Sequence, residues 1–339
     1  MGVFILQKRL YNSRAMKKEI RIVSFLVLIA VVALWGVAPV VSKAVFDRNM
    51  FSPGVLIMLR GVVSIIAMAL VINKGFKKVD KSYLICIPAG VILALAYIFQ
   101  FVGLKYTAPS KNAFLENISC ITIPLFMFLL VREKPQWYSI MAAGLCVIGS
   151  LILVGNGFDF ATFFKSGDIK GDGLSAIGGL FFGLDTAFTK VYSKNKDPLI
   201  FVFFQICVMT VLASGYAFIF EGQVFHTFTI SFDIVPILIV IFLGVVCTAV
   251  CWVCRAWAMR YIDAVTVSLL VPFSAVVASI LSIAFELEGF TVNLMIGGLI
   301  IIIAVMISAY FDYRRGIKMD AQENLESKHQ PEEVEKNES

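Results

Sequence analysis

Histidine is nearly absent from this chain of 339 residues: only His226 and His329 occur. That argues against chemistry built on several histidines, such as a zinc centre, and against a nucleophile–histidine triad. Charge is scarce as well. Asp, Glu, Lys and Arg together make up 15% of the residues, against about 25% in soluble globular chains. No Gly-x-x-x-x-Gly-Lys-Ser/Thr phosphate cradle occurs, nor a polar domain to carry one, which excludes work driven by ATP bound to this chain. The seven cysteines all fall inside apolar runs and none in a long loop, so a disulfide framework has no place to form. They read as small packing residues. Cys247, Cys251 and Cys254 share one helix face by their i, i+4, i+7 spacing. Soft-metal binding is the alternative there, but packing is the better reading, because Cys-x-x-Cys alone is weak and the βαβ setting of a redox motif is missing.

What the chain has in abundance is apolar length. Hydrophobic residues reach 59% and the mean hydropathy is +0.88, more than a soluble fold of this size can hide. A helix needs roughly 20 apolar residues to cross a bilayer. Ten such runs stand between charged or Gly/Pro-bearing breaks: Ile22–Val45, Pro53–Ile72, Tyr83–Leu104, Asn112–Val131, Trp137–Val154, Gly173–Tyr192, Pro198–Phe220, Ile234–Met259, Ala264–Phe285 and Val292–Phe311. They are twice the length of a barrel strand and do not alternate, so strands are not expected. The expected fold class is an all-α integral membrane protein.

The basic residues give an independent test of the count. With the N-terminus in the cytoplasm, the inner segments hold roughly 19 Lys and Arg, including Lys17, Lys18, Arg21, Lys74, Lys77, Lys78, Arg132, Lys134, Lys194, Lys196 and Arg260. The outer loops hold about 5: Arg48, Lys105, Lys111, Lys165 and Lys170. A miscounted helix would invert every later loop, so an even count with both termini inside is expected, in the plasma membrane. The first run is too long for a signal peptide and no small-residue cleavage site follows it. Met16 is a second plausible start. Residues 1–21 read as a basic cytoplasmic tail, 156–172 as an external loop, and 313–339 as a polar, acidic, disordered cytoplasmic tail.

An internal repeat runs through the ten segments. Trp35-Gly36 through Ser42-Lys43 matches Phe182-Gly183 through Thr189-Lys190. Pro53 and Pro198 open the next run in each half, with Arg60 and Gln205 each seven residues on. Counting back from Tyr106 and Tyr261 pairs Gln100 with Arg255; Pro124 and Pro272 follow at different spacings, and Gly144-Leu145 matches Gly298-Leu299. A repeat of five helices has odd parity, so its second copy enters the membrane in the opposite sense. Residues 22–155 and 173–312 are thus expected as two inverted five-helix halves (5+5), a recurring basis of alternating access.

Together, Trp35-Gly36…Lys43, Pro53…Arg60-Gly61, Gly103-Leu-Lys-Tyr-Thr-Ala and Ala113-Phe-Leu…Pro124-Leu resemble the EamA family of the drug/metabolite transporter superfamily. The resemblance covers about residues 22–312. It implies the inverted 5+5 fold and transport, often export, of metabolites, amino-acid-like solutes or toxic compounds. One feature common in that family is missing: Leu270-Val271, not an acidic residue, precede Pro272.

Ionisable groups inside a bilayer cost about 2.5–3.5 kcal/mol even on the lenient insertion scale, so those deepest in the runs are the candidates for function. Glu116, beside Asn117, reads as a proton-coupling carboxylate or a contact for a substrate amine, with a structural ion pair to Arg60 as the alternative. Arg60 can hold a substrate carboxylate, although the resemblance implies a shared architectural role for an arginine there. Asp185, next to Thr186, faces a cavity or pairs with Lys190. Gln100 and Gln205 suit helix–helix hydrogen bonds or substrate contact. Trp35 lines a cavity or packs in an interfacial belt. Lys43, Lys190 and Arg255 stand near helix ends and read as snorkelling side chains. Gly179-x-x-x-Gly183 suits close helix approach. The expected function is secondary transport of a small molecule across the lipid bilayer, coupled to protons or to exchange, with no cofactor and no nucleic-acid partner. The alternatives are a channel or scaffold, for which no ring of like charges is evident, and a membrane-embedded enzyme on lipid-linked substrates, for which no clustered nucleophile–base set is evident.

Overall fold

The computed structural model describes residues 2–72, 79–132, 136–154, 169–286 and most of 289–311. Nearly all of the 156–172 loop, the 313–339 tail and many of the basic residues behind the charge asymmetry lie outside the described residues. Helices occupy the described residues of all ten apolar runs, and no strand occurs among them. In chain order they are α1 (Gly2–Asp47), α2 (Pro53–Ile72), α3 (Cys86–Tyr106), α4 (Pro109–Glu116), α5 (Ser119–Val131), α6 (Trp137–Val154), α7 (Ile169–Tyr192), α8 (Pro198–Gly215), α9 (Ile234–Phe242), α10 (Cys251–Ala258), α11 (Ala264–Leu270) and α12 (Pro272–Ala284), followed by α13 (Met295–Ala304). Among the described residues, six helical stretches are long and apolar enough to cross a membrane: Glu19–Asp47, Pro53–Ile72, Lys81–Tyr106, Pro109–Val131, Pro198–Val224 and Ile234–Ala258. Three shorter apolar helices, Ile140–Ile152, Pro272–Ala284 and Met295–Ala304, accompany them. This is a multi-pass, membrane-embedded, all-helical protein.

The burial pattern is that of a protein dissolved in lipid. Leu70, Val71, Ile169, Val211, Phe232 and Ile234 are each more than two-thirds exposed, whereas Arg60, Asp185, Gln205 and Arg255 are at most 2% exposed. Water would reverse that arrangement; hydrocarbon enforces it.

Two of the runs expected as single helices are interrupted. The fourth breaks at Asn117-Ile118 between α4 and α5, and the ninth at Val271 between α11 and α12. Pro124 lacks the N–H that would reach Cys120, and Pro272 lacks the one that would reach the preceding turn. Asn117, Ile118 and Val271 all keep right-handed helical dihedrals, so each interruption is a kink. The prolines are spaced differently, yet both kinks fall ten to twelve residues past Tyr106 and Tyr261. The seventh run ends in a π-helix, Tyr216–Val224, and the eighth contains one, Leu243–Val250, between α9 and α10.

Close helix contacts recur at positions matched by the repeat. A Cβ on Gly36 would lie 2.6 Å from the carbonyl of Ser274, beside Val277; a Cβ on Gly183 would meet Ser119 and Thr122. Ser119 and Ser274 stand equally far past their tyrosines, as do Thr122 and Val277. A Cβ on Gly90 would lie 2.6 Å from the Gln205 carbonyl beside Val208; one on Gly244 would lie 2.9 Å from the Arg60 carbonyl beside Val63. Gly244 is one residue further from its tyrosine than Gly90 is, and the π-helix Leu243–Val250 absorbs the extra residue, as a π-bulge does. Gly90→Ala and Gly244→Ala are each expected to lower stability by about 1–3 kcal/mol through overpacking. Gly144→Ala and Gly215→Ala, where nothing lies within 4 Å of the new Cβ, are expected to be neutral or stabilising. Thermal midpoints in detergent check both.

Candidate functional site

Where α1, α3, α5, α7 and α10 converge they leave a cavity of about 580 Å³, counting the part that opens outward. Five pairs of repeat-matched residues line it: Trp35 with Phe182, Pro39 with Thr186, Tyr97 with Trp252, Gln100 with Arg255, and Glu116 with Val271. Ala38, Arg60, Phe101, Leu104 and Ser119 complete the wall. Glu116, Ser119 and Val271 come from the two kinks, so the interruptions of the fourth and ninth runs bring their residues to the cavity.

The apolar side is a cluster of four rings. Trp35 and Trp252 have centroids 5.4 Å apart, Tyr97 and Phe182 5.3 Å, and Tyr97 and Trp252 5.9 Å. The polar tips are tied down: Trp252 Nε1 donates to the Tyr97 hydroxyl at 2.7 Å, and Trp35 Nε1 to the Cys247 carbonyl at 3.1 Å.

Two guanidinium groups complete the chemistry, and they are held differently. Arg255 donates through Nη2 to Asp185 Oδ2 at 2.7 Å and through Nη1 to Thr186 Oγ1 at 2.9 Å. Its charge also lies 4.0 Å over the Trp252 ring. Gln205 Nε2 fills the other oxygen of Asp185 at 2.5 Å. Arg60 donates through Nε and Nη2 to Thr248 Oγ1, at 2.9 and 2.8 Å, and lies 4.7 Å over the Tyr97 ring. Glu116 Oε2 accepts from Gln100 Nε2 at 2.6 Å.

Four of the seven residues singled out from sequence reach the cavity wall: Trp35, Arg60, Gln100 and Glu116. The other three stand behind it. Asn117 donates to Ser150 Oγ at 3.1 Å, while Asp185 and Gln205 form the buried polar layer under Arg255. Three pairings differ from expectation. Arg255 does not snorkel: it is 2% exposed, because Asp185 and the Trp252 face draw it inward. Asp185 therefore pairs with Arg255 instead of Lys190, whose ammonium donates to the carbonyls of Met259 and Ile262 at 2.5 and 2.7 Å. Glu116 pairs with an amide, and Arg60 with hydroxyls and rings, so the two do not form an ion pair. Lys43 bridges Asp47 at 3.3 Å and the Lys105 carbonyl at 3.0 Å. The cysteines are free thiols, and no group of three metal-ligating side chains occurs among the described residues.

Sequence reading passed over Tyr97, Trp252, Thr248 and Glu221. The repeat held the signal for the first two, since each stands three residues before Gln100 or Arg255. Glu221 is buried at the N-terminus of α2, where it accepts from Ser52 Oγ at 2.6 Å and from the Gly54 amide at 2.8 Å, a favourable place for a carboxylate.

The model of the EamA-like transporter family matches residues 22–155 and 169–310. The chain belongs to the EamA-like transporter family. It is similar to a protein of Archaeoglobus fulgidus named an uncharacterized transporter, 25% identical over 64% of this chain and 66% of that protein. Similarly named proteins of Methanothermobacter thermautotrophicus and Clostridium kluyveri are 24% and 25% identical, over 67% and 68% of this chain and 64% and 72% of theirs. The first two matches thus span just under two-thirds of those relatives. A solved crystal structure shares the fold with a TM-score of 0.67 over 84% of this chain and 98% of that one, at 16% identity.

The Arg255–Asp185 pair makes a sharp test of the polar layer. Removing one partner leaves a buried charge, so Asp185→Leu or Arg255→Met is expected to cost about 3–5 kcal/mol. The double variant Asp185→Leu/Arg255→Met is expected to recover most of that loss, measured by unfolding in detergent as a double-mutant cycle.

Proposed function

We propose that this chain is a secondary active transporter that exports small metabolites, amino-acid-like solutes or drugs by alternating access. In this reading residues 22–155 and 173–312 are inverted five-helix halves, and residues 1–21 and 313–339 are cytoplasmic tails of a plasma-membrane protein. The observation that carries it is the cavity wall: five matched residue pairs, one member from each half, face a common space. A site on the axis between two such halves stays in place while the halves exchange conformations, which opens it first to one side and then to the other. The matched contacts of Gly36 on Ser274 and Gly183 on Ser119, and of Gly90 on Gln205 and Gly244 on Arg60, support the same relation, because equivalent surfaces must be able to trade places.

Glu116 is the coupling group in this mechanism. It lines the cavity, it comes from a kink, and its polar partner among the described residues is the neutral Gln100 amide, so a proton can come and go without breaking an ion pair. Asp185 is less suited, with both oxygens engaged and Arg255 against it. Ligand and proton then shift the balance of the two states to the extent that they bind them differently.

The test is flux in proteoliposomes holding a pH-sensitive dye, screened with amino acids, nucleosides and cationic drugs. Solute-dependent proton movement is expected in the parent chain and its loss in Glu116→Gln, with solute counterflow retained. Unaltered pH dependence in that variant would remove Glu116 from the coupling role. Saturable counterflow separates a transporter from a channel.

A further inference from the structure

We propose that the transported solute is a small organic carboxylate with a flat apolar body and no cationic group. This deepens the transporter reading and rests on it for the cavity's purpose, though not for its chemistry. The argument starts from the charges in the wall. Arg255 is neutralised within the protein by Asp185, whose second oxygen is taken by Gln205. Arg60 has no such counter-ion. It is 1% exposed, and among the described residues no carboxylate lies within ion-pair distance, its hydrogen-bond partners are the hydroxyls of Thr248 and Tyr97, and its Nη1 has none. A buried guanidinium without an anion is strongly destabilising. A carboxylate bound in the cavity supplies one negative charge and an acceptor for the unused N–H, in the geometry arginine favours.

The aromatic cluster argues for the flat apolar body and against a cation. Rings around a cavity ordinarily suggest an aromatic cage for an ammonium group. Here the two faces best placed for that are already covered by the protein's own cations: Arg255 lies 4.0 Å over Trp252 and Arg60 4.7 Å over Tyr97. A second positive charge would be brought against both. Glu116 offers a cation no charge while it carries the coupling proton of the transporter reading, and Gln100 then holds one of its oxygens.

Three probes that share a phenyl ring and differ in charge decide the matter: phenylacetate, phenylalanine and phenethylamine. Binding to the purified full-length chain is read by quenching of tryptophan fluorescence, since Trp35 and Trp252 line the cavity. The expected result is saturable quenching by phenylacetate at least about tenfold tighter than by the other two. Arg60→Gln should weaken it by about tenfold or more, and Arg60→Lys should keep the order of preference. Without ligand, Arg60→Gln should not lower the thermal midpoint, because it removes an unpaired buried charge; a fall would mark Arg60 as structural and count against the proposal. Equal or tighter binding of phenylalanine or phenethylamine overturns it, as does the absence of saturable phenylacetate binding. Counterflow of labelled phenylacetate is measured separately. Binding without counterflow upholds the anion site and removes the transport reading, whereas counterflow of another solute without phenylacetate binding does the reverse.

Discussion

Hydrocarbon offers no hydrogen bonds, and every feature of this molecule follows from that constraint. Apolar side chains face outward at no cost, and polar groups must find partners inside the bundle. The partners are often improvised. Lys190 caps two carbonyls where α10 gives way to α11, Glu221 caps the first turn of α2 from a neighbouring helix, and Lys111 and Asp172 make a buried ion pair at 2.6 Å. Unpaired polar atoms among the described residues are spread through the bundle, and Arg60 Nη1, Ser119 Oγ and Arg255 Nε are those that belong to residues of the cavity wall.

The repeat organises the scaffold more closely than it organises the chemistry. Glycine contacts and aromatic lining residues are paired across the halves, because both halves must pack in the same way around a shared centre. The charged residues are not. Gln100 holds the carboxylate of Glu116, while at the matched position Arg255 holds that of Asp185; Arg60 is matched by a neutral Gln205. The π-helix Leu243–Val250 carries the Thr248 hydroxyl that accepts from Arg60. One added residue in a helix therefore coincides with the point where the halves stop being equivalent, and there Arg60 sits, buried and without an ion pair among the described residues.

The helical segments were legible because roughly 20 consecutive apolar residues leave little else for a chain to do. The kinks were partly legible: Pro124 and Pro272 announce some interruption, but its position near Asn117 and Val271 depends on how the flanking turns pack. Trp35, Arg60, Gln100 and Glu116 were recognisable as candidates because polar or amphipathic groups deep in an apolar run are costly. Arg255 was misread because closeness to a helix end says nothing about which way a side chain points, and a rotation of about 100° per residue decides that. Tyr97 and Trp252 were overlooked because an aromatic residue in an apolar run looks like packing until its neighbours are known.

By itself the sequence determined that the chain lives in lipid, that it is helical, that its halves repeat, and which groups are too polar to face the bilayer. All of these depend on local composition and spacing, which solvent reads directly. Only the tertiary structure decided which acid pairs with which base. It left Arg60 without a counter-ion among the described residues, turned Arg255 inward, and set four rings around a shared space. Those outcomes depend on distances between residues far apart in the chain, down to an ångström or so, and no one-dimensional pattern encodes them.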